Sequence, residues 1–332
     1  MPAMRARLRR AMRGIARRLP VTGAYERRIA ALTTEVHRLA AAIPTEPTEP
    51  PPPPTWVPQG HFYSPIPDPD EIRADHDRIF GGDPTDLPGI DLHLVEQWAL
   101  LDRLAPFADD VELARTADVA ADCGERYRAE NPSYPPGDAL ALTMVLRDLR
   151  PARLVELGSG FSSACMLDVR ERHLDGRLDL TFVDPYPAQL EELFRDEDRA
   201  SCTVLPVRTQ DVDLDVFGQL ASGDVLFVDS THVARTGSDV NRIVFEILPA
   251  LAPGVLVHVH DVFPGFEYPA PWVYEGRAWT EQYLLRAFLQ HNERFRVHWW
   301  PSLLHQVATD DHHERYPVLA RLQGGAIWLR ST

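Results

Sequence analysis

Leu154-Val-Glu-Leu-Gly-Ser-Gly-Phe-Ser-Ser163 decides how the chain is read. An apolar run holding one acid, Glu156, ends at Gly158; a second glycine follows at Gly160, and a helical pattern begins directly after it. This order predicts a buried strand, a tight turn and a helix N-terminus. The first turn of a helix carries N–H groups without intrahelical acceptors, and glycine lets a ligand approach the backbone without meeting a Cβ. Units of this kind serve many nucleotide-like ligands, so the sequence around the turn must choose among them.

From residue 153 onward, strand and helix patterns alternate. Strands are expected at 153–158, 178–184, 202–208, 224–229, 255–261, 296–300 and 325–330, and helices at 162–172, 188–195, 212–220, 239–251 and 280–292. Alternation of this type predicts an α/β fold: a doubly wound, mostly parallel seven-stranded sheet with helices on both faces. Right-handed crossovers gather the C-terminal strand ends on one edge, where ligands bind. The last two strands are separated by a long polar connection, 301–324, whose His305, His312 and His313 read as solvated.

Upstream, the chain divides by composition. Residues 1–43 form a basic helical extension in which Arg7, Arg9, Arg10, Arg13, Arg17 and Arg18 alternate with Leu8, Met12 and Ile15. Ile29, Leu32, Val36 and Leu39 then continue a single apolar stripe. That pattern suits either a solvated helical extension or weak contact with a membrane surface or a protein partner. Residues 44–58 form a Pro-rich linker that cannot pack a core. Residues 59–150 read as a cap, irregular at first and then helical. His61-Phe62-Tyr63 within it suits a substrate lid and a packed connecting loop equally, and 151–332 is the catalytic-type domain.

Net charge is −15 although the N-terminus is basic, so the body is more acidic still. Such a surface does not neutralise phosphates, which argues against a nucleic-acid partner. The three cysteines lack metal-binding spacing, which predicts a reduced, cytoplasmic setting. No apolar run approaches the roughly 20 residues that span a bilayer. Oligomeric state is not legible.

Four motifs occur in a fixed order: Val155-Glu-Leu-Gly-Ser-Gly160, Phe182-Val-Asp-Pro185, Asp224-Val-Leu-Phe-Val-Asp229, and Leu248-Pro-Ala-Leu-Ala-Pro-Gly254 before a strand. From about Gly137 to its end, the chain resembles class I S-adenosylmethionine (SAM)-dependent methyltransferases, specifically bacterial small-molecule methyltransferases. The resemblance implies a sheet whose last strand is antiparallel, SAM as cofactor and a small-molecule methyl acceptor. The family's glycine turn often holds a third glycine where this chain has Ser162. A nicotinamide-binding Rossmann domain is the competing reading, but its G-x-G-x-x-G fingerprint also lacks the third glycine here. A SAM-binding scaffold without catalysis is the alternative from another class.

Glu156 is placed to support the amino end of SAM, or to be a core acid satisfied by neighbouring donors. Gly158, Ser159 and Gly160 permit backbone contact, and N–H groups near Ser162 and Ser163 can take the carboxylate. Asp184 ends the second strand, where a carboxylate accepts bonds from both ribose hydroxyls. The resemblance places the adenine beside Thr209, Gln210 and Asp211, although Asp211 is equally explained as a helix cap.

Chemistry is expected at the next two strand ends. Asp229-Ser-Thr-His232 leaves the fourth strand, where Asp229 also borders the cofactor, and His258-Val-His-Asp261 closes the fifth. Three readings stay open. His232 or His260 is a general base oriented by Asp261 or Asp229. Alternatively, Asp229, His260 and Asp261 hold a divalent metal ion, as the resemblance implies for some O-methyltransferases, with His260 standing where those enzymes have an acid. In the third, these side chains only satisfy buried groups and cap loops. His258 reads as a wall or core residue. Phe263, Phe266, Tyr268, Trp272, Tyr274 and Trp279 follow closely and suit a planar or sugar-like acceptor, or an ordinary packed loop. The combined expectation is O-methylation of a small molecule.

Overall fold

The computed structural model describes residues 56–332; the expected helices of 1–43 and linker residues 44–55 lie outside the described residues. The chain divides at Pro58, and every element below belongs to the unit Gln59–Thr332. Seven strands form one sheet: β1 (Arg153–Leu157), β2 (Asp179–Val183), β3 (Cys202–Leu205), β4 (Val225–Val228), β5 (Leu256–His260), β6 (Phe295–Trp299) and β7 (Ala326–Ser331), in the order β3-β2-β1-β4-β5-β7-β6. β1 to β5 pair in parallel, and β7 lies antiparallel between β5 and β6. Strand order reverses between β1 and β4, so Gly158, Asp184, Asp229 and Asp261 each stand one residue past a strand at the edge where ligands bind.

Both faces are covered, which explains why every residue of β4 and β5 is buried and β4 is wholly apolar. One face carries Leu154, Phe182, Phe227, Leu256 and Trp328. Packed in that layer are α1 (Leu94–Leu104), α2 (Pro136–Leu149) and α3 (Phe161–His173). The other face carries Val155, Val183, Leu226 and Val257 and meets Ile243, Ile247 and Leu285, the last from α4 (Glu281–Leu289). Alternate residues of one strand thus serve opposite layers. Arg126, just before α2, meets Asp168 and Glu171 of α3 at 2.9 and 2.8 Å and Asp198 at 2.7 Å, tying the cap to the sheet layer.

Two expectations need correction. The helix expected over 239–251 is a composite of Asp239–Arg242, a π-helical turn Ile243–Ile247 and Leu248–Ala250. Pro249 has no N–H to continue the ladder, and the Leu248 N–H reaches back to Ile243 in the wider turn. The connection 301–324 is not simply solvated. It holds α5 (Pro301–Val307), buries Leu303, Leu304 and Leu319 completely, and stacks His312 on Trp98 at 4.0 Å. Its polar residues hid a short apolar repeat. Phe62 and Tyr63 are largely exposed.

Candidate active site

Gly158 is required by the sheet itself. Its φ is +89°, and a Cβ there would stand 1.8 Å from the Asp229 carbonyl oxygen. The neighbouring strand ends are locked by N–H bonds from Gly158 to Val183 and from Asp229 to Leu157, both 2.9 Å. Glu156 is fully buried; its two oxygens accept from the Ser162 and Ser163 hydroxyls at 2.5 Å, and Ser163 Oγ in turn accepts the Gly160 N–H at 3.0 Å. Burial pushes the Glu156 carboxyl up to about 8 against the pull of those serines, with the charges of Asp229 and Asp184 adding to the rise. A cation arriving beside it would favour the ionised form.

At the end of β2, Asp184 accepts from the Ser159 hydroxyl at 2.6 Å and from the Tyr186 N–H at 2.7 Å. The glycine turn and Asp184 are therefore already joined. The turn Thr209–Asp211 lies farther along, where Gln210 donates to the Gly237 carbonyl at 2.9 Å. Asp211 pairs with Arg208 at 2.7 Å on the surface.

The exits of β4 and β5 converge. Asp229 Oδ1 stands 3.4 Å from His232 Nε2 and 3.3 Å from His260 Nδ1. Asp261 Oδ2 stands 3.5 and 3.7 Å from the same two nitrogens. His232 and Asp261 both hold positive φ, +59° and +56°, a region that costs a non-glycine residue roughly 1–2 kcal/mol. The sheet order compels this approach, because β4 and β5 are neighbours whose ends fall level.

Charge follows from the packing. Burial lowers the basicity of His232, but Asp229 and Glu281 outweigh it and hold the imidazole at about 10. His260 is likewise penalised by burial and held well above the ordinary imidazole range by Asp229 and Asp261. Burial raises Asp229, yet the two histidines close beside it leave it well below the usual carboxylate range. Asp261 is raised, chiefly by burial. The surrounding acids thus bias both imidazoles toward the protonated form.

The metal set Asp229, His260 and Asp261 is brought to one place, but among the described residues no group of three or more His, Cys, Asp or Glu is arranged to hold a metal ion. The facing carboxylate oxygens stand 3.3–3.7 Å from imidazole nitrogens, and no chemical step is routed through a metal.

Sequence reasoning missed two partners. Asp138, in the first turn of α2, is buried and places Oδ2 at 3.3 Å from His260 Nε2 and at 3.0 Å from the Gly325 N–H. Glu281, in the first turn of α4, places Oε2 at 2.9 Å from His232 Nδ1. Both carboxylates read as ordinary helix-start acids. His258, by contrast, is a core residue: it stacks on Phe227 at 3.8 Å, and neither ring nitrogen has a partner.

The aromatic residues after β5 flank this cluster. Trp279 lies 4.5 Å from His232, Trp272 lies 5.5 Å from Trp279, and Phe263 lies 5.1 Å from Trp272. Phe263 and Tyr268 also line a cavity of about 500 Å³ with Arg78, Phe80, Glu267 and Arg286. No helix among the described residues is long and apolar enough to cross a membrane.

Residues 155–262 match the model of a family described as a methyltransferase domain. A protein of Archaeoglobus fulgidus, described as uncharacterized, is 34% identical over 165 residues, which are 49% of this chain and 73% of that protein. Among solved structures, the SAH-bound Podospora anserina methyltransferase PaMTH1 is similar with a TM-score of 0.40 at 15% identity, over 84% of this chain and 99% of its own. The mitomycin 7-O-methyltransferase MmcR is similar with a TM-score of 0.32 at 18% identity, over 81% and 74%. Likenesses of that size bear on neither substrate nor mechanism.

Proposed function

We propose that this chain, whose residues 155–262 match a methyltransferase-domain family, is a SAM-dependent methyltransferase that methylates a hydroxyl group of a small molecule, with His232 receiving the hydroxyl proton. The reading is carried by one observation: Asp229, His232, His260 and Asp261 face one another across 3.3–3.7 Å at the ends of β4 and β5. A protein that only bound SAM would have no use for two buried histidines held between acids, beside a strained backbone.

The cradle fits the cofactor. N–H groups in the first turn of α3 lack intrahelical acceptors, Asp184 offers carboxylate oxygens at the end of β2, and Glu156 is a buried acid that a cation would ionise. SAM, when bound, supplies a methyl group on a sulfonium that is already a good leaving group. The chain's own work is then alignment and proton handling. The His232 imidazole is the more accessible of the pair, beside Trp279, whereas His260 is closed in by Asp138 and Tyr134. His232 must shed its Nε2 proton before it accepts another, and the positive charge of the cofactor nearby favours that loss. His260, backed by Asp138 at 3.3 Å, stays beside Asp229 and holds it in place. The cavity beside Phe263 and Tyr268 has a size suited to a small acceptor.

Two assays test the reading separately. Calorimetry should detect SAM binding that Asp184→Ala weakens; unaltered affinity would remove the cofactor assignment. Label from methyl-labelled SAM should pass to a member of a panel of phenols and glycosides, and His232→Ala should stop it. Transfer at the wild-type rate in that variant would remove His232 from the reaction.

A further inference from the structure

Thr280-Glu281-Gln282, the start of α4, grips the exits of both reacting strands. The N–H groups of Thr280 and Glu281 donate to the His232 carbonyl at 2.9 and 3.1 Å. Thr280 Oγ1 accepts the Ala234 N–H at 2.8 Å, and Gln282 Oε1 accepts the Phe263 N–H at 3.1 Å. His232, Ala234 and Phe263 are thus pinned by one helical turn that lies 49 residues beyond His232 in the chain.

Within this turn Glu281 is 3% exposed, and His232 Nδ1 lies 2.9 Å from its carboxylate. A buried carboxylate needs a partner of this kind, and the main-chain N–H groups of Thr280 and Glu281 with the side chains of Thr280 and Gln282 already pin the strand exits without the carboxylate. The other nitrogen of His232 faces Asp229 and Asp261, with Trp279 closing one side. A hydrogen bond to one ring nitrogen fixes which nitrogen is left to exchange protons.

We infer that Glu281 is a positioning residue: it holds the Nδ1 proton of His232 so that Nε2 alone is presented to the acceptor. This assignment rests on the reading of His232 as proton acceptor and adds the element that orients it. Asp138 stands in the same relation to His260 but through Nε2, which leaves the two imidazoles facing Asp229 with opposite nitrogens.

The test uses the full chain with ¹⁵N-labelled histidine and long-range ¹H–¹⁵N spectra of the imidazoles, the His232 signals being identified by their loss in His232→Gln. The wild-type protein should show a slowly exchanging proton on Nδ1 of His232. Glu281→Ala should lose that signal, and Glu281→Gln should keep it, since its carbonyl oxygen accepts the same proton. Persistence in folded Glu281→Ala, or loss in Glu281→Gln, overturns the inference. If the alanine protein does not fold, the glutamine variant decides alone by the same criterion. The measurement needs neither cofactor nor acceptor, so its failure is separable from a failure of methyl transfer.

Discussion

Glu156 takes its hydrogen bonds from serines six and seven residues onward, whereas His232 reaches Glu281 across 49 residues and His260 reaches Asp138 across 122. The two halves of the binding edge are therefore assembled differently. The cradle at β1 and β2 is closed by neighbours in sequence and by bonds between the two strand ends, Gly158 N–H to Val183 and Ser159 hydroxyl to Asp184. The cluster at β4 and β5 exists only once α2, α4 and the two strands are all in place. A locally closed cradle can hold a donor without help from the cluster. Changes in the cluster should accordingly alter turnover, and changes in the cradle should alter cofactor affinity.

The largest expected effect breaks or secures that division. His232→Ala should lower turnover by about 10²- to 10⁴-fold, the usual contribution of a positioned acid–base group, while SAM affinity by calorimetry stays close to wild type. A parallel loss of SAM affinity would show that the two halves are not separable.

Next comes pH. His232 acts only when neutral, and its surroundings hold it at about 10 in the free enzyme. kcat/KM should therefore climb about tenfold per pH unit from neutrality toward that value. On kcat the same limb should lie at lower pH, because the cofactor's positive charge is then present. Stability moves the opposite way: with a folded value above the unfolded value near 6.5, the imidazolium's contribution is complete below about 6.5 and is lost as pH rises through about 10. Melting curves across that window should show the decline in the wild-type protein and a smaller one in His232→Ala. A flat kcat/KM profile would separate His232 from the proton transfer.

On the cradle side, Asp184→Ala should weaken SAM binding by about 10- to 100-fold, in line with losing hydrogen bonds to a charged group at roughly 1.5–3 kcal/mol. Its effect on kcat at saturating SAM should be small. Should kcat fall instead with affinity unchanged, the division between cradle and cluster would be reversed.

That division also explains what the sequence made legible. The glycine turn, the strand-end acids and all seven strands could be found because each is a local signal: a short, mostly apolar run between turns, a glycine closing one such run at Gly158, an acid closing another. Asp229, His232, His260 and Asp261 could be found because strand ends gather on one edge. Asp138 and Glu281 could not, because each looks like a routine acid in a first helical turn, and only the packing of α2 and α4 against the sheet turns it inward. The divalent-metal expectation came from residue types at strand ends; how Asp229 and Asp261 face the two imidazoles, at 3.3–3.7 Å, is set by packing that residue types do not reveal. The apolar content of 301–324 was masked by the polar residues between Leu303, Leu304 and Leu319.

The smallest expected effect compares two histidines on one face of one strand. His260 has carboxylates at both nitrogens; His258, two residues earlier, has none, and lies between Phe227 and the edge-on ring of Trp328. Burial holds His258 neutral, well below the ordinary imidazole range, with two unpaired polar atoms in an apolar setting. Each such atom costs about 1–3 kcal/mol relative to a satisfied one, and an aromatic hydrocarbon of similar shape would avoid that loss. The added bulk of phenylalanine acts against the gain, since overpacking a close-packed core costs about as much. His258→Phe should therefore leave the melting temperature unchanged or raise it by a few degrees, with turnover within about twofold of wild type. His260→Ala should instead destabilise the fold and stop methyl transfer, because it leaves Asp138 buried without that partner. If His258→Phe abolished activity in a folded protein, His258 would belong to the site after all, and the boundary between core and chemistry on β5 would move inward by two residues.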